Sequence, residues 1–330
     1  MVKVIVTGGC GFIGHHFCEH LFLNTNWDII ILDKLSYATK GFERLRGANL
    51  LNQTRVKIFT CDLTVPISSG IRQEIGKDVT YIVHMAAETH VDNSISEPIA
   101  CVNNNVGSTL NLLEYARSLP ALEKFFYFST DEVYGSAPKG VAYKEEDRQR
   151  PTNPYSASKS AGEALCIAWH NTFKVPIIIV NCMNAFGEQQ HTEKFVPKIM
   201  KYLTEEKELE IHSYPDCKTS GSRFYIHARN IAAAVMFLME KGQINERYNI
   251  VGEKEVTNLE MAEMIARIMG KPLKYKLVNF HQDRPGHDLR YCLDGEKMAQ
   301  MGWKLPVNFE ESLRRTVFWT MKHPEWLVWE

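Results

Sequence analysis

Apolar residues gather along the first half of this chain in short, unbroken runs. Residues 2–7, 28–32, 56–61, 79–84, 125–129 and 177–181 are rich in β-branched or aromatic side chains and too short for helices. A continuous apolar run, unlike strict alternation, marks a strand covered on both faces. Between the runs lie longer stretches of helical character, at 14–23, 106–118 and 155–173. Strand and helix in regular alternation predict right-handed crossovers. The fold class is therefore α/β, a Rossmann-type doubly wound parallel sheet.

Past residue 187 the rhythm changes. Residues 194–203 read as a helix, and 204–222, with Pro215 and Gly221, as strand fragments and loops. Residues 231–241, 258–270 and 309–322 read as helices, with Thr257 or Asn258 as an N-cap. A chain of 330 residues against about 150 per domain suits two units. The expected division is a dinucleotide-binding domain over 1–187 and a smaller C-terminal α/β substrate lobe over 188–330. The chain is expected to cross between them around 223–252.

Composition narrows the partners. With 45% hydrophobic and 23% charged residues the chain is too apolar to be disordered. Thirty-eight basic against 39 acidic residues give a net charge of −1, which lacks the field of a nucleic-acid binder. The longest apolar run, 231–239, falls well short of the ~20 residues of a membrane span, so none is expected. The first residues pass straight into a glycine cluster, so no secretion leader is expected either. Eight cysteines without a C-x-x-C pair suggest neither a zinc site nor a disulfide framework. They are expected as buried free thiols in a reducing cytoplasm.

Candidate chemistry lies at the ends of the predicted strands. The first runs into Gly8, Gly9, Gly11 and Gly14, and a helix follows. Glycines there allow a tight turn, a close backbone approach to a pyrophosphate and close helix-strand packing. The helix N-terminus offers N–H groups to phosphates. Asp33 ends the second strand, 19 residues past Gly14, placed to accept from an adenosine ribose and to repel a 2′-phosphate, which favours NAD over NADP. Asp62, followed by Leu63, falls near an adenine edge; Met85, Ala86 and Ala87 supply small residues after the fourth strand.

Tyr155 and Lys159 share one helical face, where the ammonium is expected to lower the phenol's pKa so that it accepts a hydroxyl proton near neutrality. A second Tyr-x-x-x-Lys match, Tyr214 to Lys218, carries Pro215-Asp216 and reads as a turn. The fifth strand ends in Thr130, a hydroxyl placed to bind a reacting oxygen, followed by Asp131 and Glu132. Adjacent acids are most often a solvated pair. At a sheet edge beside Tyr155 and Lys159, two carboxyls with separated pKa values can instead remove a carbon-bound proton and expel water.

These residues resemble the extended short-chain dehydrogenase/reductases along nearly the whole chain, and within them the nucleotide-sugar 4,6-dehydratases. The resemblance is carried by 7–14, 33–38, 86–92, 129–135, 155–159, 190–194 and 283–291. It implies bound NAD, with Phe12, Ile13, Lys34, Leu35 and Ser36 joining the cofactor residues above, and Tyr155 and Lys159 shared with catalysis. It implies dehydration of a nucleoside-diphosphate glucose to the 4-keto-6-deoxy sugar, with dTDP-glucose as first expectation and UDP-glucose as second. Tyr155, supported by Lys159 and Thr130, takes the 4-OH proton; Glu132 takes the C5 proton; Asp131 protonates the departing C6 hydroxyl. Thr89, Thr130, Asn184, Lys194, Arg223, Asp283, Arg284 and His287 line the substrate site, and a homodimer forms through the helices at 106–118 and 155–173. A nucleotide-sugar 4-epimerase or decarboxylase, and a non-catalytic NAD-binding scaffold, remain alternatives of the same fold.

The chain departs from the family pattern in places. Ala185, Phe186 and Glu188 stand within a stretch that is usually Asn-Asn-Tyr-Gly-Pro, Asn181 where arginine is common, and Phe224 where aspartate usually follows the arginine. The segment 323–326 resembles a tail of UDP-glucose 4,6-dehydratases.

Overall fold

The computed structural model of the chain describes residues 2–279 and 289–328. Asp283, Arg284 and His287 lie outside the described residues. The strands are β1 (Lys3–Thr7), β2 (Asp28–Asp33), β3 (Val56–Thr60), β4 (Tyr81–His84), β5 (Lys124–Thr130), β6 (Ile177–Cys182), β7 (Asn184–Phe186), β8 (Leu209–Ser213), β9 (Ser222–His227), β10 (Glu246–Ile250), β11 (Glu255–Thr257) and β12 (Tyr275–Asn279). The α-helices are α1 (Phe12–Asn24), α2 (Glu43–Gly47), α3 (Ser69–Ile75), α4 (Val91–Ser96), α5 (Pro98–Arg117), α6 (Pro154–Phe173), α7 (Phe195–Thr204), α8 (Ala228–Lys241), α9 (Asn258–Met269), α10 (Glu296–Gln300) and α11 (Phe309–Lys322).

The main sheet runs β10-β6-β5-β4-β1-β2-β3, and every pair in it is parallel. Its apolar runs are buried because both faces are covered. One face packs Val4, Val6, Ile29 and Ile31 with Phe17 and Leu21 of α1 and Val235 and Leu238 of α8. The other packs Ile5, Ile30 and Ile82 with Leu112 of α5 and Cys166 of α6. Strand order reverses between β1 and β4, and an open α/β sheet forms its ligand crevice at that reversal. Gly8, Met85, Thr130 and Cys182 all follow or end strands at that edge.

Beyond β6, α7, α9 and α11 enclose a separate core with Phe186, Leu209 and Ile211. A three-stranded sheet β11-β9-β7 and a two-stranded sheet β12-β8 accompany it. The seventh strand of the main sheet, β10, comes from this later part of the chain and pairs with β6. Thr257, not Asn258, caps α9 in a reciprocal capping box with Glu260. The Tyr214–Lys218 match is a turn between β8 and β9, its Asp216 accepting from the Lys218 and Thr219 N–H groups. Seven of the eight cysteines are buried free thiols; Cys217, at the tip of that turn, is exposed, contrary to the expectation for all eight. No helix among the described residues is long and apolar enough to cross a membrane.

Candidate active site

A cavity of about 300 Å³ opens at the crevice. Its floor is the loop after β1, where Gly8 has φ +72° and a Cβ on it would lie 2.9 Å from the Ala86 backbone. A Cβ on Gly14 would lie 2.1 Å from the Gly8 carbonyl oxygen, so α1 could not dock as it does with any larger residue. Helix α1 starts after Gly11, with no side-chain cap and no acid in its first turn. Its first N–H groups and positive dipole end are therefore left for an anion. Asp33 accepts from the N–H groups of Cys10 (2.9 Å) and Leu35 (2.8 Å), which leaves lone pairs on both oxygens for a ribose diol. Burial pushes its pKa up, against those hydrogen bonds and the nearby Arg44.

Gly8, Gly11, Phe12, Ile13, Gly14, Asp33, Lys34, Ser36, Asp62, Leu63, Met85, Ala86 and Ala87 line this cavity. Leu35 does not; it packs against the core, and its backbone N–H holds Asp33. These residues fit a dinucleotide at both ends: an uncapped helix for the pyrophosphate and a carboxylate with free acceptors for the ribose. Lys34 reaches across to Glu88 (2.9 Å) and Asn104 (2.7 Å).

The chemistry-bearing residues meet at the far end. Thr130, Asp131, Glu132, Tyr155 and Lys159 all line the same cavity. Thr130 ends β5, and the short 3-10 turn Asp131–Tyr134 turns both acids inward. Asn153 caps α6 through the Ser156 N–H, which fixes Tyr155 at the first turn. The Asn153 amide also donates to Glu132 (3.2 Å), as does the Tyr291 hydroxyl (3.3 Å).

The two acids differ. Asp131 is 3% exposed; burial and the adjacent Glu132 raise its carboxyl to about 7, against a Thr130 hydroxyl that donates to it at 3.0 Å. Its second oxygen has no protein partner. Burial also raises Glu132, but hydrogen bonds from Asn153 and Tyr291 and the charges of Arg223 and Lys194 oppose the rise. Asp131 is thus the better proton donor near neutrality and Glu132 the better acceptor.

Tyr155 departs from the expectation. Burial first, then Glu132 and Asp131, push its phenol well above the usual range, against a hydrogen bond with Thr130. Lys159 Nζ sits 4.3 Å over the Tyr127 ring, and burial brings Lys159 down to about 8.

A second cavity, about 360 Å³, joins the first. Thr89, Glu132, Asn184 and Lys194 line both. Arg223 lines the second; its guanidinium stacks 4.5 Å from the Tyr291 ring and donates to the Ser222 and Leu289 carbonyls. Tyr225, His212 and Asn258 complete a polar wall that carries no motif in the sequence. Asn153, Tyr291 and the cavity-lining Arg44 were likewise unforeseen; only Asn153 had a local signal, as an N-cap candidate before Pro154.

The departures have local explanations. Asn181 donates to Glu163 (2.8 Å) and to the Thr130 carbonyl (3.3 Å), while Arg247 on β10 brings a guanidinium to Glu163 (2.7 Å). Glu188 accepts from His227 and Arg229, both at 2.9 Å, and these hydrogen bonds with the Arg229 charge hold its carboxyl well below the usual range despite burial. Phe224 packs against Val133, Tyr134 and Tyr291.

Comparison with known proteins agrees with this arrangement. The family model described as GDP-mannose 4,6 dehydratase matches residues 5–316. A dTDP-glucose 4,6-dehydratase of Haemophilus influenzae is 37% identical over 338 residues, covering 97% of this chain and 98% of that protein. A trifunctional Arabidopsis thaliana protein whose activities include UDP-glucose 4,6-dehydratase is 31% identical over 98% of this chain and 48% of its own length. The solved dTDP-glucose 4,6-dehydratase of Streptomyces venezuelae, with NAD bound, superposes at a TM-score of 0.88 with 31% identity and 98% of each chain covered. The chain belongs to the nucleotide-sugar 4,6-dehydratase family of the extended short-chain dehydrogenase/reductases, and it is a hydro-lyase.

Proposed function

We propose that the protein binds NAD in the first cavity and dTDP-glucose, ahead of UDP-glucose, in the second, and converts the sugar to its 4-keto-6-deoxy form. The observation that carries this reading is the meeting of a phenol, an ammonium and two unlike carboxyls in the first cavity, with Glu132 also lining the second. NAD, when bound, supplies the acceptor and later donor of hydride, and a positive charge that opposes the two carboxyls. Tyr155, with the Thr130 hydroxyl beside it, takes the proton of the sugar 4-OH, and the Lys159 ammonium, which lines the same cavity, offsets the phenolate. Once C4 is a ketone its C5–H is acidic, and Glu132 accepts that proton while Asp131, protonated near neutrality, gives its own to the departing C6 hydroxyl. Residues 1–187 together with β10 hold the cofactor, and residues 188–330 the nucleotide sugar, with Lys194 and Arg223 toward its diphosphate.

Incubation with dTDP-glucose and with UDP-glucose tests this reading. It requires a base-labile 4-keto sugar absorbing in the near ultraviolet, formed faster from the thymidine nucleotide. Accumulation of the C4 epimer without keto sugar would replace dehydration by epimerisation.

We further propose a cytoplasmic homodimer. Ile99 (76% exposed) and Leu110 on α5, and Ile167 and Phe173 on α6, leave apolar side chains in solvent on two packed helices, a face suited to a second copy. The native mass in solution tests it, and a monomeric mass rejects it.

A further inference from the structure

The adenosine end of the first cavity is held by one buried side chain. Arg44, on the short helix α2, is 0% exposed and lines the cavity beside Asp33. Its Nη1 donates to the carbonyls of Ala38 (2.7 Å), Thr39 (3.0 Å) and Cys10 (3.3 Å), and its Nε to that of Gln189 (3.0 Å). Three backbone segments distant in sequence therefore converge on a single guanidinium: the glycine loop, the loop after β2 and the loop after β7. Burial lowers Arg44 only to about 10, with Asp33 opposing, so it is charged at neutrality. On its outer side lies Trp326, in the 324–326 turn that follows α11. The ring centroid is 5.6 Å from the guanidinium carbon, and Lys40 sits 5.0 Å from the same ring and donates to the Glu325 carbonyl at 2.9 Å.

We propose that Arg44 is a positioning residue for the dinucleotide, and that Trp326 covers it, so that cofactor retention depends on the far end of the chain. This rests on the reading that the first cavity takes NAD. A planar fork with five donors can serve carbonyls arriving from several directions, and lysine's single ammonium cannot. Losing such charge-assisted bonds loosens the three loops relative to one another. A dinucleotide would then have to order them on binding, which weakens its affinity. Tryptophan over the guanidinium excludes water, which would otherwise compete for the same donors.

The test is calorimetric titration of NAD into cofactor-stripped wild type, Arg44→Lys and Trp326→Ala, with thermal melting of each NAD-free protein alongside. The proposal requires roughly 10-fold or greater weakening of NAD for Arg44→Lys and a smaller weakening for Trp326→Ala. It also requires turnover that recovers as NAD is raised, a change in apparent affinity more than in kcat. A merely structural role would lower melting and leave the Kd of the folded variants as in wild type; that result overturns the proposal. If Arg44→Lys fails to fold, Trp326→Ala decides alone, since an unchanged Kd in a folded Trp326→Ala protein refutes the coverage and with it the coupling to the tail. Absence of NAD binding by wild type would instead refute the reading of the cavity itself.

Discussion

Replacing Asp131 by asparagine should make the protein more stable and less active, and the gain should depend on pH. The Asp131 carboxyl lies at about 7 in the folded protein, against an ordinary value of 3.8, with burial as the first cause and Glu132 as the second. Between those values the folded state keeps the proton that the unfolded chain has released. Stability is therefore complete below the ordinary value, falls as pH rises through the window, and carries the full penalty above about 7. At about 1.4 kcal/mol per pKa unit, the Asp131 carboxyl costs the fold up to about 4 kcal/mol near pH 8, where it is ionised, and only about 1.5 kcal/mol near pH 5, where folding takes up a proton. Asparagine keeps the shape, still accepts from the Thr130 hydroxyl and carries no charge. Denaturant unfolding of NAD-free wild type and Asp131→Asn at both pH values measures the difference directly. The account requires a stabilised variant near pH 8, a gap that shrinks by more than half near pH 5, and dehydration reduced by at least about 100-fold through loss of the acid. A variant no more stable than wild type near pH 8, or a gap independent of pH, would refute the argument that burial of this carboxyl opposes folding.

Other outcomes follow from the same geometry. Glu132→Gln should still oxidise C4 but not deprotonate C5, so mixing it with dTDP-glucose and NAD should trap reduced-cofactor absorbance without keto sugar; undiminished keto product would remove Glu132 as the base. Tyr155→Phe should lower kcat by roughly 10²- to 10⁴-fold while NAD titration is unchanged. Arg247→Met leaves Glu163, 1% exposed, without its guanidinium, and should cost about 3–5 kcal/mol in denaturant unfolding. Wild-type turnover should fall as pH rises past about 7, where Asp131 ionises, a limb read from kcat against pH.

Much of the fold is legible in the chain because its central strands are buried on both faces. Ile29–Leu32 and Phe125–Phe128 have no solvent side, so nothing polar interrupts them. Strand β10 reads Glu-Arg-Tyr-Asn-Ile at the sheet edge, where Glu246 pairs with Lys297 and Arg247 with the buried Glu163, and the apolar signal is lost. Helix α5 begins at Pro98, earlier than its apolar spacing suggests, because Asn103, Asn104 and Asn105 interrupt the pattern. Asn105 is buried all the same, donating to Ser158 and the Glu88 carbonyl.

The site divides in the same way. Glycine spacing, Asp33 and the Tyr155–Lys159 spacing are local, and each residue reaches the cavity. Side-chain direction is not local. Four-residue spacing puts Tyr155 and Lys159 on one face, but the burial that raises the phenol and the Tyr127 ring beneath the Lys159 ammonium are supplied by the folded chain. Arg44, Tyr291 and Arg247 act across 34 to 159 residues of sequence, on partners that only the folded chain brings near.

The most direct test of the central claim follows one atom. dTDP-glucose carrying deuterium at C4 is incubated with the NAD-loaded protein, and the product is read by mass and by proton resonance. If C4 oxidation, loss of water and reduction at C6 occur within one closed cavity, the 4-keto-6-deoxy product carries the deuterium at C6. Deuterium retained at C4 of an epimer, or lost to solvent with no keto sugar formed, would contradict the account.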